Sequence, residues 1–226
     1  IPNSKAEKVF QERNNAGEFL QKIKKTASTN HELIKELNSG ELKRNINKFI
    51  DNPVHIDAWK LAFGFPSLRV KIKILERLDK NFGGVLGDIK NVNREFIESN
   101  SNHLDLGGHN RYAGALKMTL EDVDYDGKLI QNLLEGDMRA YLPKIPSVCI
   151  DRVTIESAPF ADNILAQVKR VTKSKGKIEL EHPNGVISDY KAIAKKLESK
   201  IISMKRRTEK FEGYELEIIR VTLEKY

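Results

Sequence analysis

The sequence predicts an α/β domain built on a mostly parallel sheet and preceded by a helical segment. Three observations predict it. Residues 1–100 carry apolar residues at helical spacing with no competing β signal. From about residue 101, short β-branched stretches alternate with helical ones, the pattern of a sheet covered by helices on both faces. The first of those strands runs into Asp105-Leu106-Gly107-Gly108, a glycine turn at the point where open α/β sheets take their ligands. We therefore divide the chain into residues 1–100 and 101–226.

In the first part, Thr29-Asn30-His31-Glu32 is a capping box, in which the Thr oxygen and the Glu carboxylate each satisfy a free backbone N–H. Leu33, Ile34 and Leu37 follow at helical spacing, and Gly40 ends the run. Leu42, Ile46, Phe49 and Ile50 make a second apolar face, broken at Asp51-Asn52-Pro53. Ile56, Trp59 and Phe63 mark a short helix stopped by Gly64-Phe65-Pro66. Ser67 can cap another, with Leu68, Ile72, Leu75 and Leu78 inward, ended by Asn81-Phe82-Gly83-Gly84.

In the second part, residues 103–106 predict a strand and 115–119 a second one. Gly127 to Leu134 reads as helical. Asp151 to Glu156 is a β-branched strand closed by Ala158-Pro159, and Asn163 to Val171 is a helix on Ile164, Leu165 and Val168. Lys177 to Leu180 is another strand, ended by Pro183-Asn184-Gly185. A long helix follows, with Tyr190, Ile193, Ala194, Leu197, Ile201 and Met204 as its apolar stripe. Leu216, Ile218 and Val221 form a terminal strand.

Composition narrows the class. Of 226 residues, 31% are charged and 39% hydrophobic, enough to bury a core. No apolar run reaches the about 20 residues of a membrane span, and the opening has no signal-peptide core. The start at Ile1-Pro2 without Met reads as a fragment of a longer chain or a processed product. The single cysteine, Cys149, excludes an internal disulfide and reads as a small buried hydrophobe. The five histidines (His31, His55, His103, His109, His182) lack a ligand spacing, so no metal site is expected. The net charge of +7 suits an acidic partner, nucleic acid or protein, and is equally satisfied by a basic solvated surface.

The order of features from Ser101 to Tyr226 resembles the Rossmann-like class I S-adenosylmethionine-dependent methyltransferases. D-x-G-G follows the first strand, Glu121-Asp122 the second, and a Gly136-Asp137-Met138 turn comes next. Val153 to Ile155 ends in Glu156-Ser157-Ala158-Pro159-Phe160. Arg170 to Ile178 then looks like that family's "R-V-L-K-P-G-G-x-I" passage into the fifth strand. The resemblance implies that Asp105, Gly107 and Gly108 line the methionine end of S-adenosylmethionine, that Glu121 or Asp122 takes the ribose hydroxyls, and that Asp137 reads the adenine. Carboxylates accept well from such donors. Arg111 and His109 sit in the same turn. The resemblance makes Glu156 a catalytic or substrate-positioning residue, and His182, after the fifth strand, can line the same cleft.

Two features depart from that family. The segment after the first turn is too short for the usual helix and for an ordinary parallel crossover. Either the first helix is deleted or these are not two parallel strands. Ser174-Lys175-Gly176 also replaces a Pro-Gly-Gly turn. The short form, "D-x-G-G-x-x-R-Y-x-x-A", resembles methyltransferase-like modules at the C-termini of bacterial polymorphic toxins, and the stretch from Ala58 to Leu75 resembles the helical segment that precedes them. That resemblance implies delivery from a bacterium, action in a target-cell cytoplasm and a cognate immunity protein. The activity is methyl transfer or, in the alternative, another reaction such as RNA cleavage or modification on the same fold. Lys200, Lys205, Arg206 and Arg207 make the expected last helix basic. They are candidate phosphate contacts if the substrate is nucleic acid, and a solvated face or a surface for an acidic partner otherwise.

Overall fold

The computed structural model describes residues 68–156, 158, 160–211 and 214–226. The helices expected upstream of Leu68, with Trp59 and the Ser67 cap, lie outside the described residues. The chain divides into two compact units, Ile1–Asp79 and Lys80–Tyr226.

The helix expected from Leu68 is α1, Leu68–Phe82, and a second short helix, α2, spans Arg94–Glu98, capped by the Asn93 side chain. Then come β1 (His103–Leu106), β2 (Leu116–Thr119), β3 (Leu133–Glu135), α3 (Met138–Tyr141), β4 (Ile150–Glu156), α4 (Asp162–Val171), β5 (Thr172–Pro183), α5 (Tyr190–Lys196), β6 (Ser199–Phe211) and β7 (Tyr214–Lys225). The seven strands form one sheet in the order β3-β2-β1-β4-β5-β7-β6. The pairings β3 to β2, β2 to β1, β1 to β4 and β4 to β5 are parallel, and β7 runs antiparallel to both neighbours. This is the Rossmann-like order 3-2-1-4-5-6 with one antiparallel strand inserted before the last.

Alternation along the strands gives the sheet two unlike faces. Leu104, Leu106, Leu116, Met118, Val153, Ile155, Ile178, Leu180, Val221 and Leu223 are fully buried and build the core, together with the buried stripe of α4. The intervening positions are polar. Asp105 stands beside Lys117 and Thr154, His103 beside Arg152, Thr154 beside Glu179, Glu156 beside Glu181, and Glu181 beside Arg220. Most of these are also buried, so the polar face is held by internal pairing: His103 Nε2 meets Thr154 Oγ1 at 2.7 Å, and Arg152 meets Glu179 at 2.6 Å.

The open question about the first crossover resolves in favour of the strands. β1 and β2 are parallel neighbours, and residues 107–115 join them without a helix; residues 120–132 join β2 to β3 the same way. Side chains do the helices' work. The Tyr112 ring packs on His103, with centroids 4.7 Å apart, and the Arg152 guanidinium lies 4.8 Å from its centroid. The fully buried Lys117 donates from Nζ to the carbonyls of Tyr112 at 2.8 Å and Gln131 at 3.1 Å, tying the two crossovers together. Asn132 donates to the Ala113 carbonyl at 2.7 Å, and Asn93, ahead of α2, donates to the same oxygen at 2.9 Å.

Two expected helices are corrected. Gly127 to Leu134 is not helical: the Asp124 side chain accepts from the backbone N–H of Asp126 and Lys128 and forms a turn, and the chain then enters β3. Such local bonds compete with a helix at its start. The long helix from Tyr190 stops at Lys196; Glu198 takes a positive φ of 50°, and Ser199 begins β6. The apolar spacing fits a helix, but pairing with β7 along nearly the whole strand overrides it. The basic residues thus sit on a strand. Lys200, Lys205 and Arg207 share the polar face, and Arg206 lies on the other. Cys149 is buried, as expected, and its thiol donates to the Pro146 carbonyl at 2.9 Å.

Candidate functional site

A cleft of about 650 Å³ opens over the C-terminal ends of β1, β4 and β5, beside the far end of the β6–β7 hairpin. Gly107, Arg111, Glu156, Glu181 and His182 line it, and the Asp124–Lys128 turn forms one wall. Of the residues singled out in the sequence, Gly107, Arg111, Glu156 and His182 therefore meet in one place.

The glycine turn depends on its glycines. Gly107 has φ +74°, and any Cβ there would collide with the Glu156 carbonyl oxygen; a Cβ on Gly108 would collide with the Asp105 carboxylate. Asp105, expected as a strand-end acid to face a ligand, is not in the cleft lining. It lies beneath the turn, fully buried, and neither carboxylate oxygen has a hydrogen-bond partner. Burial, reinforced by the nearby Glu156 charge, pushes its pKa up to about 8, against the pull of Lys117 and Arg111. Burial in turn lowers Lys117 to about 8.

A carboxyl whose pKa rises on folding stabilises the protein at acid pH, and that contribution drains away as pH climbs from about 4 through about 8. The Asp105→Asn variant lacks it. Urea midpoints of wild type and variant are expected to diverge steadily in favour of the variant between pH 5 and 8. Parallel profiles would refute a buried acid at this position.

Above the turn, Arg111 bridges strand-end acids. Its Nη1 contacts both Glu156 and Glu181, and Nη2 lies 3.7 Å from Glu209. Glu181 also receives Arg207, and Arg220 at 2.6 Å. Burial alone would raise the pKa of Glu181, but hydrogen bonds from the three guanidiniums outweigh it and hold the carboxyl well below its usual range. Glu156 moves the other way: burial raises it, Arg111 opposes, and the Glu181 charge adds to the rise. Neighbouring carboxyls are thus driven apart, Glu181 downward by its guanidiniums and Glu156 upward by burial. His182 is almost fully buried, its ring edge-on to Phe160 at 4.2 Å, and its Nε2 has no partner. Burial lowers it to about 4, so the ring is neutral at pH 7.

Other expected site residues lie elsewhere. Glu121 and Asp122 follow β2 as exposed residues outside the cleft lining. Asp137 caps α3 by accepting from the Arg139 N–H at 2.8 Å, and it pairs with the Arg139 side chain. Lys200 pairs with Glu224 at 2.8 Å and Arg206 with Glu217 at 3.4 Å; Lys205 is exposed, and Arg207 alone belongs to the cleft's charge network. Sequence reasoning missed Glu181, Arg220, Tyr112 and Lys117. The available signal for Glu181 was the alternation of charged and apolar residues through 177–181, which marks a polar sheet face. Among the described residues, no group of three His, Cys, Asp or Glu is arranged to hold a metal ion, and no helix is long and apolar enough to cross a membrane.

No protein-family model and no curated protein matches the sequence. Among solved structures, the chain is similar to an antibiotic-related methyltransferase, at 14% identity and a TM-score of 0.41 over 57% of this chain and 90% of the other. It is similar to a putative methyltransferase from Bacillus halodurans at 11% identity and a TM-score of 0.42, over 57% and 94%. A SAM-dependent methyltransferase from Methanosarcina mazei gives 7% identity and a TM-score of 0.42 over the same shares. The fold assignment itself rests on strand order and register: the chain is a Rossmann-like α/β protein with a polar, carboxylate-bearing cleft at the C-terminal edge of its parallel strands.

Proposed function

We propose that this cleft binds S-adenosylmethionine and that the chain transfers the methyl group to an acceptor that loses a proton to Glu156. The observation that carries the reading is the Gly107-Gly108 turn, closed over the buried Asp105 and opening on the cleft that holds Glu156. The two glycines let the turn pack directly on the Glu156 carbonyl and on the buried Asp105, which fixes the backbone that borders the cleft. Gly107 and Arg111 would hold the methionine end. The fit stops there, since Gly108, Glu121, Asp122 and Asp137 lie outside the lining.

S-adenosylmethionine brings an already activated methyl group, so the chain has to align the acceptor and take one proton. Glu156 suits the second task, because its raised pKa brings it nearer to working pH than an ordinary carboxylate. Glu181, fixed as an anion, anchors Arg111 and so the turn's far side. Neutral His182 stands in the cleft wall with its Nε2 buried and unpartnered. The reading is tested by S-adenosylhomocysteine formation when the chain is mixed with S-adenosylmethionine and a bacterial lysate.

We further read the chain as a toxin module that acts in a target-cell cytoplasm and is neutralised by an immunity protein. The support is the "D-x-G-G-x-x-R-Y-x-x-A" form: its Arg111 and Tyr112 are the side chains that pin the helix-free crossover. Growth arrest on induction in a bacterial host, relieved by co-expression of a cognate immunity protein, is the corresponding assay. One observation favours a second reading, RNA cleavage: Glu156 and Glu181 form an acid pair of divided pKa beside three guanidiniums, which is acid–base equipment that needs no cofactor. RNA degradation without S-adenosylmethionine would favour it.

A further inference from the structure

We propose that a second pocket, at the N-terminal ends of β4 and β5, binds a phosphoryl dianion, either free phosphate or a small phosphate monoester. The pocket holds about 320 Å³ and shares no lining residue with the cleft at the other end of those strands. An irregularity in β5 builds it. Between the pairs Ile150–Thr172 and Arg152–Lys177, β4 advances from 150 to 152 while β5 advances from 172 to 177. Lys173-Ser174-Lys175-Gly176 therefore bulges out of the ladder. The bulge is folded on itself: a Cβ on Gly176 would lie 2.7 Å from Thr172 Cγ2 and 2.8 Å from the Lys173 carbonyl oxygen, and Lys175 takes a φ of +62°. Bulges re-aim side chains, and here Lys173, Lys175 and Lys177 all line one concavity with Arg152 of β4.

The charges select the ligand. Two carboxylates line the same pocket, and both are already matched: Asp151 pairs with Lys173 at 2.7 Å and Glu179 with Arg152 at 2.6 Å. Glu224, the cross-strand neighbour of Lys177, pairs with Lys200 at 2.8 Å. Lys175 and Lys177 have no ion-pair partner among the described residues, so four cations against two carboxylates leave two positive charges uncompensated. Arg152 gives Nη2 to Glu179, and its Nε is buried with no partner. The Ser101 and Ser174 side chains add hydroxyl donors to the lining. A concavity with an excess of one sign focuses its field and gathers counter-ions. A phosphate monoester brings a charge of about −1.5 to −2 at pH 7 and three strong acceptor oxygens, which matches both the excess charge and the donors. A carboxylate or a phosphodiester brings one charge and leaves a lysine unmatched. The volume lies at the low end of the range for small-molecule sites, which suits phosphate carrying at most a short organic group.

The test titrates the isotope-labelled full chain with inorganic phosphate and follows backbone amide shifts. Near neutral pH, saturable shifts are expected at Arg152 and from Lys173 to Lys177. Toward about pH 5, where phosphate becomes a monoanion, its affinity should fall roughly tenfold. Glycerol 3-phosphate should move the same amides, more tightly than phosphate if the natural ligand is an ester and more weakly if it is the free ion. Dimethyl phosphate, a diester, should not. The double variant Lys175→Asn, Lys177→Gln should bind phosphate at least about tenfold more weakly, the loss of a charged hydrogen bond. Asparagine accepts the positive φ, so the thermal midpoint should be unaltered. The double variant Lys195→Gln, Lys205→Gln removes the same charge outside the pocket and should bind as wild type does. Absence of saturation, equal binding of dimethyl phosphate, or equal loss in the two double variants overturns the proposal. Equal shifts from an oligouridylate without a terminal phosphate overturn it in favour of a nucleic-acid backbone.

Discussion

Gly107→Val is expected to abolish S-adenosylmethionine binding while leaving a folded, weakened protein. Gly107 holds φ +74°, a region that β-branched residues avoid, and its new Cβ would run into the Glu156 carbonyl oxygen. Forcing the turn to another conformation costs about 1–3 kcal/mol in backbone strain alone. The displaced turn would no longer cover Asp105 or present its backbone to the cleft. Gly185→Ala is the control: Gly185 has φ +89° but open space around its Cβ position, so it carries the strain without the collision. The account expects both variants to lose stability and only Gly107→Val to lose affinity, by at least about tenfold, which is a 1.4 kcal/mol difference in binding. Equal affinity in the two would remove the turn from the site.

The second large effect is on turnover. Glu156→Gln should lower the rate of S-adenosylhomocysteine formation about 10² to 10⁴-fold, the range for loss of a positioned general base, with cofactor affinity nearly intact. The amide keeps an oxygen that can accept from Arg111, and Glu181 still anchors that guanidinium, so the turn should hold. The pH profile distinguishes this role from a structural one. Glu156 works as a base only when ionised, and burial raises its pKa, so wild-type activity should climb with pH through a point above the ordinary carboxylate range. The residual activity of the variant should lack that limb. Retained turnover with a wild-type pH profile would exclude Glu156 as the proton acceptor.

The elements legible in the sequence were those whose signals are local. β1 and its glycine turn, β4 with its β-branched run, and α4 with its apolar stripe all satisfy a short-range pattern and bury what that pattern marks. β6 was hidden because its apolar residues, from Tyr190 through Ile201 to Met204, also satisfy helical spacing; pairing with β7, supplied by residues 214–225, decides between the two. β3 was hidden for the opposite reason: it is only three residues long, and the turn ahead of it is set by the Asp124 side chain.

The site was legible along its rim and opaque in its interior. Gly107, Arg111, Glu156 and His182 could be placed because strand ends mark the cleft. Glu181 could not, since its partners Arg111, Arg207 and Arg220 converge only through the sheet. Asp105 is expected at the cofactor because a strand-end acid normally faces a ligand, yet it is buried. The turn folds back over it because Gly107 and Gly108 permit an approach that no other residue would allow. The missing crossover helix was visible as a length deficit, but its substitutes, Tyr112 stacked on His103 and Lys117 binding the Tyr112 and Gln131 carbonyls, belong to tertiary structure.

The central claim is that the cleft above the glycine turn is a cofactor site. Isothermal titration of the full chain with S-adenosylmethionine, run beside Gly107→Val, tests it most directly. The account predicts a single saturable site in the wild type that the variant lacks. No heat of binding in the wild type across several temperatures, or an unchanged isotherm in the variant, would contradict it.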